Sequence, residues 1–174
     1  MLIDSNRSRA TAIHRRRATM AATGRRITTT TAALVVSATA LVAVQSTPAY
    51  AHTRNEAVLY GCGSGYGIVS DGVRAVKTSN GTTWGEVILT YNASNGYNCV
   101  VTRKTAYHGT ASPVTANLRL QFSGEFEKRD DYAEHWESVK ARGAGMCAQY
   151  WGAIANPYAG VSAAGGRYTW GNCG

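Results

Sequence analysis

WGEVILTYNASNGYNCVVTRKT, residues 84–105, carries the pattern from which the fold is read. Residues 84–92 make a strand with Val87, Leu89 and Tyr91 on one face and Ile88 and Thr90 on the other, because side chains alternate at a period of two. Asn95-Gly96 supplies residues that tolerate positive φ, as a tight hairpin demands. Residues 99–105 then return as the partner strand. Cys99 falls three residues after Gly96. A thiol at the foot of a hairpin asks for a partner and for an oxidising compartment.

The chain on either side is punctuated for the same kind of structure, with strand-like runs separated by Gly, Asn and Ser clusters. Residues 116–123 alternate, with Leu118, Leu120 and Phe122 expected inward and Arg119 and Gln121 outward. Residues 135–142 and 146–154 flank Gly143-Ala144-Gly145, and residues 167–171 make a last short strand. Residues 132–139 lack Gly and Pro and could alternatively start a helix. In GCGSGYGI, residues 61–68, glycine recurs at Gly61, Gly63, Gly65 and Gly67. At strand period that leaves one face bare, against which a bulky side chain such as Trp84 or Trp151 is expected to pack. The expected fold is all-β: one antiparallel sandwich or small barrel of about six to eight strands.

The first 51 residues read as a signal peptide, to be excluded from the fold. Seven arginines precede the apolar run TAALVVSATALVAV, residues 31–44, then Pro48 and the small-x-small triplet Ala49-Tyr50-Ala51. That run is shorter than the roughly 20 residues a membrane span needs. Cleavage between Ala51 and His52 leaves residues 52–174 as one secreted domain. Met20 is an alternative start, and Arg25-Arg26 an alternative twin-arginine signal. The leader also holds most of the charge. Its seven Arg and one Asp account for +6 of the +8 of the whole chain, leaving +2. Basicity that is discarded gives no support to nucleic-acid binding.

Cys62, Cys99, Cys147 and Cys173 all follow the leader. An even cysteine count in a small exported chain points to disulfides, and the absence of CxxC spacing or a nearby His pair argues against zinc. Three pairings are open; Cys62–Cys99 with Cys147–Cys173 is preferred because each closes a local loop.

Catalytic patterns are thin. Ser64 is flanked by Cys62 and Tyr66 and so misses GxSxG, and the glycines lack the strand-to-helix setting of a dinucleotide site. His52, His108 and His135 have no nucleophile motif beside them. The acidic stretch EFEKRDDYAEHWE, residues 125–137, mixes Lys128 and Arg129 among its carboxylates and reads as a solvated loop, not a glycosidase pair or a calcium loop. Asn80-Gly81-Thr82 and Asn92-Ala93-Ser94 match the glycosylation sequon, a pattern short enough to recur by chance. The tyrosines and tryptophans are expected mostly in the core. No catalytic residue, metal ligand or cofactor is therefore assigned, and no enzyme is expected.

Four segments together resemble the spore-associated protein A family, small secreted proteins of filamentous spore-forming bacteria: residues 61–69 (GCGSGYGIV), 87–102 (VILTYNASNGYNCVVT), 145–154 (GMCAQYWGAI) and 172–174 (NCG). The resemblance implies export and association with a spore-wall or cell-surface component, with no catalytic residues to carry over. A secreted structural or interaction protein is the expected function. A secreted binding module or protease inhibitor stands second, and a small secreted hydrolase third.

Overall fold

The computed structural model describes residues 51–174; the expected leader, apart from Ala51, lies outside them. In chain order the elements are helix α1 (Arg54–Cys62) and strands β1 (Gly67–Lys77), β2 (Thr83–Asn92), β3 (Tyr97–Lys104), β4 (Ser112–Leu120), β5 (Gly124–Ala133), β6 (Trp136–Arg142), β7 (Ala148–Ala155) and β8 (Ser162–Gly171). The quoted hairpin is β2–β3, in register from Gly85 opposite Lys104 to Asn92 opposite Tyr97. All strand neighbours are antiparallel, in the order β5-β4-β7-β8-β1-β2-β3-β6. The two ends of that order, β5 and β6, are joined by the turn at residues 134–135, and Lys128 of β5 meets Glu137 of β6 at 3.0 Å. The result is a nearly closed barrel. Closure leaves few unpaired strand edges, the hazard of an open sheet.

The barrel interior is filled by Val87 and Leu89 of β2, Val100 of β3, Val114, Ala116, Leu118 and Leu120 of β4, and Tyr150 and Ile154 of β7. The barrel is narrow where β3 faces β7. A Cβ at Gly152 would lie 2.1 Å from Thr102 Oγ1, so only glycine fits there.

Ile88 and Thr90, on the opposite face of β2 from Val87 and Leu89, are equally buried. The covering element on that side is α1, which runs two residues into the stretch 61–68 read above at strand period; β1 takes up that period only from Gly67. The start of α1 is a capping box: Thr53 Oγ1 accepts from Glu56 N at 3.2 Å, and Thr53 N donates to Glu56 Oε2 at 2.7 Å. Gly61 and Cys62 therefore sit on a helix, and the glycine alternation has no bare sheet face. Gly61 lies against Val101 and Ser138, while Gly63 and Gly67 have no side chain close to them; Trp84 and Trp151 pack elsewhere. Cys62 pairs with Cys99 across 37 residues, and Cys147 with Cys173 across 26. The first bridge fastens the end of α1 to β3, where Ala57, Cys62, Cys99 and Val101 form a small second core.

Three further expectations are corrected. Residues 125–133 belong to strand β5, not a loop; the strand is exposed along nearly its whole length because its charged side chains sit at the barrel seam, where solvent solvates both faces. Residues 132–139 form strand, turn and strand instead of a helix, since pairing with β4 and β3 takes their backbone. Phe122 is 93% exposed, because β4 ends at Leu120 and Phe122 enters the turn with φ 66°.

One end of the barrel is tied by Lys104, whose side chain is wholly buried. Its Nζ donates to Thr110 O at 2.7 Å, Ser112 Oγ at 2.7 Å and Ala133 O at 3.0 Å. These acceptors satisfy all three ammonium donors. Burial pushes the Lys104 pKa down, and the Glu134 carboxylate opposes that only in part. Lys104 N also donates to His135 O at 2.9 Å, and Gly109 N to Glu134 O at 2.9 Å. Beside this end, Glu86 of β2 receives two hydrogen bonds from Arg54, at 2.9 and 2.7 Å, and one from Arg103 Nε at 3.1 Å. Arg103 Nη1 in turn donates to His52 O.

Three outcomes follow for stability. Gly96 has φ 73°, donates to Asn92 O at 2.9 Å and leaves a Cβ only 2.9 Å from Ala144 Cβ; Gly96→Val is expected to lower stability by about 1–3 kcal/mol in chemical denaturation. Lys104→Met keeps the volume but strands three acceptors, with an expected loss of about 2–4 kcal/mol. For Glu86, burial raises the pKa, but the Arg54 hydrogen bonds and the Arg103 and Arg54 charges outweigh it, so the folded value lies below the ordinary one. Its contribution is then full above the unfolded pKa and disappears as pH falls through the folded pKa. Glu86→Gln should unfold at lower denaturant than the parent at pH 7, by about 1–2 kcal/mol. The two proteins should converge in strong acid, and a constant gap across pH would refute this account.

Candidate functional site

The three histidines come from places with no sequence relation to one another. His52 directly precedes the capping box of α1. His108 sits in the β3–β4 loop, residues 105–111, and His135 in the β5–β6 turn. The Lys104 ammonium and the Gly109–Glu134 hydrogen bond hold that loop and that turn together. Trp84 O further accepts from Thr105 N and Ala106 N, both at 2.9 Å, and the Trp84 ring meets Tyr107 edge-on at 5.1 Å. Tyr107 takes φ 54° there, and its hydroxyl accepts from Asn156 Nδ2 at 3.0 Å. The loop is thus fixed from both sides, which sets the position of His108. His52 is brought up to it by the Arg54–Glu86–Arg103 network.

The imidazoles form one half-buried cluster in which a ring nitrogen of each lies within 4.8 Å of one from each of the others. Ring centroids are 5.2 Å apart for His52 and His108, 4.8 Å for His52 and His135, and 4.5 Å for His108 and His135. Trp136 walls one side, its ring 5.1 Å from His52 and 5.6 Å from His135, and Tyr60 of α1 stacks on Trp136 at 6.1 Å. Burial, with the rings of His135 and His52 and the charges of Lys104 and Arg103, holds the His108 imidazole below its ordinary pKa. Its neutral form at pH 7 leaves a lone pair available.

The hydrogen bonds of the cluster are few. His52 N donates to His108 Nε2 at 3.3 Å. Nδ1 of His108 and Nδ1 of His135 are both buried and have no partner, which is costly for a polar atom unless another group or ion meets it. Glu56 Oε2 lies 3.8 Å from His52 Nδ1, and Glu134 Oε2 lies 3.8 Å from His135 Nε2. Among the described residues no serine or threonine hydroxyl hydrogen-bonds a histidine ring, so no nucleophile–base pair is assembled here. Glu125 and Glu127 both receive hydrogen bonds from Asn117 Nδ2, at 2.7 and 3.0 Å, and Glu137 is held by Lys128. The acidic stretch thus spends part of its charge on strand β5 and its neighbours. Of the sequons, Asn92 is buried with its Oδ1 taken by Ser94, whereas Asn80 is exposed.

Spacing in the sequence assigned no ligands, because metal-ligand patterns are recognised only when they are local. The one hint was positional: His52 is the residue that the expected cleavage makes the first of the chain. All four cysteines are in disulfides, so they supply no thiolate to this cluster.

No protein-family model matches the chain, and no solved structure matches it. Over 96 residues the chain is 34% identical to Spore-associated protein A of Streptomyces coelicolor. That stretch is 55% of this chain and 57% of the relative, so the chain spans a little over half the length of the curated relative it matches.

Proposed function

We propose that this is an exported structural or interaction protein of a spore or cell surface, without catalytic activity. The observation that carries the reading is the 34% identity over 96 residues with a protein named for its association with spores. The build of the barrel supports it. Two disulfides anchor α1 and the C-terminal end, at Cys62 and Cys173, to strand β3 and to Cys147, the residue before β7. Each bridge stabilises by about 2–4 kcal/mol in an oxidising setting and gives little in a reducing one. Of the tyrosines and tryptophans expected mostly in the core, only Trp84 and Tyr150 are buried among the described residues; Tyr60, Tyr132, Tyr158 and Tyr168 are exposed and offer contact area of the kind that surface partners use.

The test is fractionation of the producing organism into spores, vegetative envelope and medium, followed by immunodetection and N-terminal sequencing. Enrichment with spores or envelope, in a form that begins at His52, is the expected result. Recovery only as free protein in the medium would contradict surface association, and recovery with the first 51 residues attached would contradict the cleavage.

A further inference from the structure

We propose that His52, His108 and His135 are a binding site for one divalent transition-metal ion of the copper–zinc class, and that the free amine of His52, once residue 51 is removed, is its fourth nitrogen. The amine's part rests on the cleavage reading above; the three-imidazole site does not.

The geometry is close to what an ion requires. Zinc binds imidazole nitrogen at about 2.0–2.1 Å, so two nitrogens on one four-coordinate ion lie about 3.0–3.4 Å apart. His52 N and His108 Nε2 are already 3.3 Å apart. The ring nitrogens, within 4.8 Å of one another, need to close by about 1.8 Å at most, which imidazole rotation supplies. Each ring gives one ion a single nitrogen: for His108 that is Nε2, beside the amine, and for His135 it is Nδ1, which is buried without a partner.

The donor set decides the class of ion. Nitrogen is the main donor: the cysteines are closed, Glu134 stands 3.8 Å from His135 Nε2, behind the Nδ1 that would ligate, and Glu56 stands 3.8 Å from His52 Nδ1, the nitrogen that chelates with the amine. Calcium and magnesium want oxygen, whereas imidazole suits copper and zinc, with Cu(II) the tighter of the two. Carboxylates behind ligating histidines are the usual outer support of such sites, orienting the rings. In formal count Glu56, Glu86 and Glu134 match Arg54, Arg103 and Lys104 around the cluster. While residue 51 is attached, His52 N is a peptide amide with its lone pair delocalised and cannot serve as a neutral ligand. Cleavage turns it into an amine that, with its own imidazole, can chelate.

The experiment is calorimetric titration of residues 52–174, which hold all eight strands, α1 and both disulfides, with Cu(II) alone and Zn(II) alone in a non-coordinating buffer. His108→Ala, His135→Ala and a form retaining Ala51 are titrated beside it. The expected result is one ion per chain. Affinity should fall about 100-fold or more in each histidine variant that melts as the parent does, since loss of a mere outer-shell partner already costs about 10–100-fold. Zn(II), which does not displace an amide proton as Cu(II) does, should bind at least about tenfold more weakly to the form that retains Ala51. No binding of either ion at about 100 µM, or full binding by a folded His108→Ala or His135→Ala protein, overturns the site. Equal Zn(II) affinity with and without Ala51 overturns the amine's part in it. If the histidine variants fail to fold, electron paramagnetic resonance of Cu(II) on the parent decides: coupling to several nitrogens supports the site, and a spectrum of solvated Cu(II) refutes it. None of these readouts depends on where the protein is found in the organism, so their failure is separate from failure of the surface reading.

Discussion

Lys104 is the point on which one end of this barrel depends. A buried ammonium is tolerated only when its donors are met, and here they are met by three segments: the β3–β4 loop at Thr110, the start of β4 at Ser112 and the end of β5 at Ala133. Because the peptide nitrogen of the same residue also holds His135 O, one residue connects β3 to the turn that closes the seam between β5 and β6. A neutral residue of equal size would fill the space and leave the carbonyls unpaired. The cost of burying the charge is therefore offset by organisation of the loops, and those loops carry His108 and His135.

The outer face of the β2–β3 hairpin depends on α1 in a comparable way. Cys99 and Val101 of β3 point away from the barrel interior and would be exposed apolar groups without a cover. α1 provides it, with Ala57 and Cys62 packed on them and the Cys62–Cys99 bridge fixing the contact. Gly61 lets the helix come close, a Cβ there falling 3.2 Å from Val101. The helix start is held separately, by its capping box and by Arg54 on Glu86. Two independent fastenings at the two ends of a nine-residue helix explain why a segment too short to be stable alone is ordered.

The histidine cluster lies where these two systems meet. Arg103 on β3 bonds Glu86 and His52 O, and so connects the helix side to the barrel end. The three imidazoles pack on one another and on Trp136, but His135 keeps a buried ring nitrogen without a partner, and that unmet demand is the physical reason for proposing a ligand there.

Much of the fold was legible in the sequence because it is encoded locally. Period-two alternation marked β2 and β4, Asn95-Gly96 marked the turn, and short loop closure favoured, among three open pairings, the Cys62–Cys99 and Cys147–Cys173 bridges that form. Where the signal was ambiguous or tertiary, the local reading failed. Of the glycines spaced like a strand in residues 61–67, Gly61 lies at the end of a helix, because Thr53 and Glu56 cap it and β3 covers it, and only Gly67 is in a strand. Charge in residues 125–133 suggested a loop, because a strand at a barrel seam buries neither face and so shows no alternation. Phe122 read as core, because alternation does not say where a strand stops. The site was the least legible part. His52, His108 and His135 are separated by 56 and 27 positions, and no helix or strand period relates them. The sequence alone determined that this is a disulfide-bridged β protein with a hairpin at its centre; barrel closure and the docking of α1 decided that three distant imidazoles meet, since only three-dimensional contact can bring together groups that the chain keeps apart.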